Sequence, residues 1–288
     1  MKKVAKAVLI STLLALSGGI VVGAEEITQP AISQSDQILA LEIRRLLSLD
    51  EVVEVMSQEA VISAGDGAEG LTPEQQESWR QGIARINRSE HLQQLMRDGL
   101  ENALIDRDPT QLRKALLFYQ SNLGRQLVQL ELSARRAMVD PEGKEAAIAA
   151  AADANTNGTA RLAMIDRLMS ASNVVDINVA GSLNAMMAVN RGFAAALQED
   201  LGPIDTTADA WQEEPAIRAD IQEWVQALLY LAYSPLDDRS LDEVIHFVAS
   251  DEGQELADVL SLAFDGMFTR IAYETGMMSG AIQLGEEL

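Results

Sequence analysis

LRKALLFYQSNLGRQL (112–127) and LDEVIHFVASDEGQEL (241–256) are the two stretches on which the fold of this chain turns. Laid over each other at an offset of 129, they share Leu112/Leu241, Phe118/Phe247, Ser121/Ser250, Gly124/Gly253 and Leu127/Leu256. Before the shared serine, Leu112, Ala115, Leu116 and Tyr119 fall at i, i+3, i+4 and i+7, and Leu241, Val244, Ile245 and Val248 do the same. That spacing is one face of an α-helix. After the serine a second stripe begins, with Leu123, Leu127, Leu130 and Ala134 in one stretch and Leu256, Leu260, Ala263 and Met267 in the other. A serine between two amphipathic segments stands where an N-cap belongs, its hydroxyl accepting from a free amide in the next helix's first turn. Asp251 and Glu252 add negative charge at the positive end of that helix. The expected unit is a helical corner used twice. Phe118, Tyr119, Ser121 and Gly124 form the first and Phe247, Ser250 and Gly253 the second, with each serine capping and each glycine facing a close neighbour. A nucleophilic serine needs a base within hydrogen-bond reach, and a nucleophile elbow needs a strand before it. The pattern offers neither.

Outward from these corners the same periodicity continues. Leu39, Ile43, Leu46 and Leu47 make an apolar stripe, as do Ile217, Ile221, Trp224, Val225 and Leu228. Thr72-Pro73-Glu74-Gln75 and Ser240-Leu241-Asp242-Glu243 read as capping boxes. No alternating run bounded by turn dipeptides suggests a strand, so the fold class is all-α. A second internal match lies upstream: IRRLLSLDEVVEV (43–55) over IDRLMSASNVVDI (165–177), offset 122, with six identities in thirteen positions. Two matched blocks in the same order point to an internal duplication and two similar helical bundles. The alanine-rich helix after Asp140-Pro141, ending near DANTNGT (153–159), is the expected junction. The organisation is then a leader over 1–24, a first helical domain over 25–156 and a second over 157–288.

F-Y-x-S-x-x-G followed by an amphipathic helix, in an acidic helical chain with a leader, resembles a bacterial family of exported domains of unknown function (domain of unknown function 2059), whose members read F-Y-x-S-P-x-G-K-K. The first corner keeps Phe118, Tyr119, Ser121 and Gly124 with Arg125 for the first lysine, while Asn122 and Gln126 replace the proline and the second lysine. The second keeps Phe247, Ser250 and Gly253. The resemblance implies a small periplasmic α-helical domain, apparently present twice in tandem, and brings no catalytic residues.

Lys2, Lys3 and Lys6, an apolar run over 7–16 and Val22-Gly23-Ala24 before Glu25 read as a secretory signal peptide. Its removal takes the formal charge from −22 to −25. No later segment reads as a membrane span. Such acidity opposes nucleic acid, which needs clustered Lys and Arg; Arg44-Arg45 and Arg135-Arg136 read as solvated pairs. Cysteine is absent, so neither disulfides nor thiolate sites can form.

Other candidate sites are weak. Asp153, Asn155, Asn157 and Gly158 imitate the start of a calcium loop, but Met164 stands where a bidentate Glu is needed. His91 and His246 lie in different halves without metal spacing, and His246 aligns with Leu117. Met186-Met187 and Met277-Met278 could suggest copper(I), yet adjacent helical residues diverge by about 100°. The sequence therefore supports no catalytic residue, no cofactor and no metal site. It points to an exported, periplasmic protein, not embedded in the membrane after signal cleavage, that works by binding a cell-envelope partner or by self-association. The hydrophobic segments around 267–271 and 277–282 offer partner-facing surface. A carrier of an apolar ligand inside a helical bundle is the alternative, and an unrecognised hydrolase the third reading.

Overall fold

The computed structural model describes residues 32–198 and 205–285, so the expected leader over 1–24 lies outside the described residues. Those residues form an all-α protein without a strand. The helices are α1 (Gln34–Leu46), α2 (Leu49–Ile62), α3 (Pro73–Ile86), α4 (Ser89–Leu104), α5 (Pro109–Gln120), α6 (Asn122–Val139), α7 (Pro141–Thr156), α8 (Ala160–Ser172), α9 (Val174–Leu197), α10 (Asp205–Tyr233), α11 (Asp238–Val248) and α12 (Asp251–Leu284). A 3-10 turn over Ser63–Ala68 follows α2.

Local chemistry sets most boundaries. Thr72 accepts from the Gln75 amide and the Gln75 side chain accepts from the Thr72 amide, completing the capping box of α3. Asp140 caps α7, which ends at Asn157, and Gly158 takes φ +58° in the turn before α8. The start of α11 differs from the sequence reading. Asp237 is its cap, accepting from the Ser240 amide at 2.7 Å, so Ser240 lies inside the first turn. Both residues are good caps, and the aspartate stands one turn earlier.

The two halves carry matching landmarks. Asp108 and Asp237 cap α5 and α11, and Ser121 and Ser250 cap α6 and α12, all at the offset of 129. Ser33 and Thr159 cap α1 and α8, which have 13 residues each. Those caps lie 126 residues apart, whereas the sequence match between the two helices runs at 122. The two offsets differ by about one helical turn. The corners after α1 and α8 are also alike, with Ser48 and Asn173 both left-handed at φ 50°.

The interior consists of two main cores that are not assembled from consecutive halves. The first gathers side chains of α1–α5 together with Leu256, Leu260, Phe264, Met267, Ile271, Met278 and Ile282 of α12. The second gathers side chains of α7–α11 together with Leu127, Ala134 and Met138 of α6. Thus α12 packs on α4 of the first half as well as on α9, and α6 packs on α10 of the second half as well as on α2. The last helix of each half is interleaved with the other half. Along α9 and α12 the contact is close: a Cβ on Gly192 or Gly276 would overlap the Tyr273 or Val189 carbonyl. The segments 267–271 and 277–282 belong to this interior. Met267, Ile271, Met278 and Ile282 are buried, which corrects their reading as partner-facing surface.

Candidate functional site

The two corners meet at the junction of the cores. Phe118 and Phe247 stack face to face with centroids 3.8 Å apart, and the Tyr119 ring stands edge-on to both. Ser121 Oγ accepts from the Gly124 amide at 3.0 Å, and Ser250 Oγ accepts from the Gly253 amide at 3.2 Å. Ser250 also donates to the Phe247 carbonyl at 2.6 Å. A Cβ added to Gly124 or Gly253 would overlap the carbonyl oxygen of Phe118 or Phe247. The close neighbour of each glycine is therefore the end of the preceding helix: the chain folds back so sharply that only hydrogen fits. Both hydroxyls are committed to the corner.

Behind the stacked rings lies a carboxylate that the sequence reading passed over. Glu131 of α6 accepts a hydrogen bond from the phenol of Tyr233 at the end of α10. Its surroundings are apolar: Leu132, Val128, Leu260 and Phe264 on one side, Leu127, Val248 and Leu256 on the other. Desolvation raises its pKa from 4.5 to about 7, against the opposing hydrogen bond from Tyr233. Burial and the Glu131 charge also raise the Tyr119 and Tyr233 phenols above their ordinary value. Cavities of about 10 and 20 Å³ flank the carboxylate. That is room for about one water each.

One turn along α6, Arg135 is 1% exposed, which corrects its reading as a solvated position. Its Nη2 donates to Glu59 of α2 at 2.6 Å, and its guanidinium lies 5.6 Å from the ring of Trp224 on α10. Arginine tolerates this because its flat, weakly hydrated cation satisfies a carboxylate and an aromatic face together. Leu127, Glu131, Arg135 and Met138 run along one side of α6 at helical spacing. Charged residues inside an apolar stripe were the available signal for Glu131 and Arg135, hidden because the neighbouring stripe of Leu123, Leu127, Leu130 and Ala134 looked sufficient. Tyr233 carried no local signal.

The remaining candidates are dispersed. His91 Nε2 lies 3.1 Å from Glu274 Oε2, and Arg270 reaches the other oxygen of that carboxylate at 2.6 Å. His246 Nδ1 is 2.7 Å from the Asp242 carbonyl on an exposed face. Met278 is buried with its sulfur against Gly82 while Met277 is 36% exposed, so the adjacent methionines diverge. Met186 and Met187 are half-buried on α9. Asp153 and Asn157 close the last turn of α7, the Asn157 amide donating to the Asp153 carbonyl at 2.8 Å. Among the described residues no three His, Cys, Asp or Glu side chains group as metal ligands, and no helix is long and apolar enough to cross a membrane.

Chemically, the junction holds an acid, two phenols and a water-sized space, closed in by aromatic and aliphatic walls. It is suited to locking helices together. Compared with protein-family models, with curated proteins and with solved structures, the chain matches none.

Proposed function

We propose that this chain is an exported helical protein of the cell envelope that acts by binding a protein partner, and that it belongs with the exported all-helical domains its FYxSxxG corners resemble. In the same proposal its halves descend from one duplicated unit whose last helices are interleaved. The observation that carries the binding reading is the placement of apolar side chains. The corners are packed down to water-sized cavities, while Ile38, Leu41 and Leu117 remain 60%, 57% and 65% exposed on two neighbouring helices. Contiguous exposed apolar groups mark interaction surfaces more often than isolated ones do. A carrier instead needs a cavity of several hundred Å³ around its ligand, and the space at the junction is far smaller.

The test is in-cell crosslinking of the full chain at native abundance, followed by identification of captured proteins. Capture of the same envelope protein in repeated experiments, with loss on competition by unlabelled mature chain, is the expected result. Absence of any reproducible capture overturns the binding reading. Export is checked separately by fractionation: deletion of residues 2–24 should confine the protein to the cytoplasm. Unchanged distribution would remove the envelope assignment.

A further inference from the structure

We propose that the adjoining faces of α1 and α5 form a docking surface for an acidic amphipathic helix of a partner protein, an inference that rests on the binding reading and gives it an address. Ile38, Leu41 and Arg45 lie at i, i+3 and i+7 along the outer face of α1, and Arg113, Leu117 and Gln120 run along the outer face of α5. Glu42 Oε1 accepts from Gln120 Nε2 at 3.1 Å across the two helices. The faces are therefore neighbours, and the three exposed apolar side chains share one surface.

The rim of that surface is basic. Arg45, Arg113, Lys114 and Arg125 are all exposed there. Lys114 donates to Gln111 at 3.0 Å and lies in the field of the Asp108 carboxylate, and Arg125 donates to the Gln120 carbonyl and to Asn122; among the described residues no carboxylate lies within ion-pair distance of Arg45, Arg113 or Arg125. The patch stands out by its sign, in a chain with 44 acidic and 22 basic residues. The corresponding corner of the second half is built differently. There Arg167 pairs with Asp242 at 3.2 Å and Arg161 with Asp238 at 3.0 Å, and His246 stands where Leu117 stands in the first. The helical corner thus works with an ion-paired outer face, so its own stability does not call for an apolar centre with an unpaired basic rim.

Charge complementarity then selects the occupant. A helix with leucine-like residues at i and i+3 or i+4 fits over Leu41 and Leu117, and Asp or Glu beside them meets the Arg113 and Arg45 guanidiniums. At physiological salt the screening length is about 8 Å, so this local patch can attract an acidic helix despite the net charge of −22. An anionic bilayer presents its charge over the whole facing surface and meets the acidic remainder of the chain too, which favours the peptide.

The test is fluorescence anisotropy of the full mature chain (25–288) with a labelled model helix carrying leucines at i, i+3, i+4 and i+7 flanked by glutamates. A second helix with lysines for the glutamates and phosphatidylglycerol vesicles are run beside it. The glutamate helix is expected to bind at micromolar Kd and the lysine helix at least about tenfold more weakly, a difference of about 1.4 kcal/mol. Bulk electrostatics alone gives the opposite order. Leu117→Asp and Arg113→Glu should each weaken binding by about tenfold or more with unchanged circular dichroism and Tm, and His246→Asp on α11 should leave it unaltered. Preference for the lysine helix, insensitivity to both α5 variants, or vesicle binding that Leu117→Asp abolishes each overturns the proposal. If the cellular partner is still captured by Leu117→Asp, this surface is wrong and the binding reading survives. If the model helix binds as described and no cellular partner is ever captured, the binding reading falls and the docking proposal falls with it.

Discussion

Replacement of Glu131 by glutamine should make stability at alkaline pH rise and leave stability at acid pH almost unchanged. The folded state holds this carboxyl near pKa 7, against 4.5 for an ordinary glutamate. For an acid whose pKa is raised on folding, the unfolded chain loses its proton first as pH rises. Stability is therefore complete below about 4.5, declines between 4.5 and about 7, and is flat above. At 1.36 kcal/mol per pKa unit that decline is about 3 kcal/mol; because the residue is only half-buried, about 2–3 kcal/mol is the expected span. Among the described residues no cation offsets it. Tyr119 from α5 and Tyr233 from α10 are the titratable groups nearest the carboxylate, the α12 side is Leu260 and Phe264, and Arg135 on the same helix is engaged by Glu59. Glutamine keeps an oxygen for the Tyr233 hydroxyl and cannot ionise. Urea unfolding of both proteins at intervals from pH 4 to 8.5 gives a difference curve in which every other titrating group cancels. The curve should start near zero and reach about 2–3 kcal/mol in favour of Glu131→Gln above pH 7.5. A difference that does not vary with pH would show that Glu131 ionises normally and that the junction is wet.

Further outcomes follow from particular contacts. Gly124→Ala and Gly253→Ala should each cost about 2–3 kcal/mol by forcing a methyl into the Phe118 or Phe247 carbonyl, while Gly266→Ala, with nothing within 4 Å, should stabilise α12 by about 0.5–1 kcal/mol. Thermal unfolding of the three variants checks both signs, and equal effects would refute the corner geometry. Ser48→Asn should stabilise by about 0.5–1 kcal/mol, because Ser48 holds φ 50° without a side-chain cap bond and asparagine, already present at Asn173, tolerates that region better. Arg135→Ala should cost about 3–5 kcal/mol, since it strips the partner from Glu59 and empties the space over Trp224. In a double-mutant cycle with Glu59→Gln the two effects should couple by at least about 1 kcal/mol; simple additivity would mean that the pair contributes nothing.

What the sequence by itself determined was local: helices, their caps and the repeated corner. Ser121 and Ser250 reach amides three residues ahead, the Thr72 capping box spans four residues, and such short-range geometry is written into neighbouring side chains. Even there, competing caps three residues apart moved the start of α11 from Ser240 to Asp237. What only the tertiary structure decided was which stripe of each helix is covered, and by what. An apolar stripe says that something must pack on it but not which helix does so. Glu131 meets Tyr233 across 102 residues and Arg135 meets Glu59 across 76. Charged side chains were buried on α6 while Leu117 was left in solvent, because α6 lies between α2 and α10 whereas among the described residues no helix lies over the outer face of α5. The interleaving of α6 and α12 sets both results, and it is a property of the assembled helices that no single stretch of the chain contains.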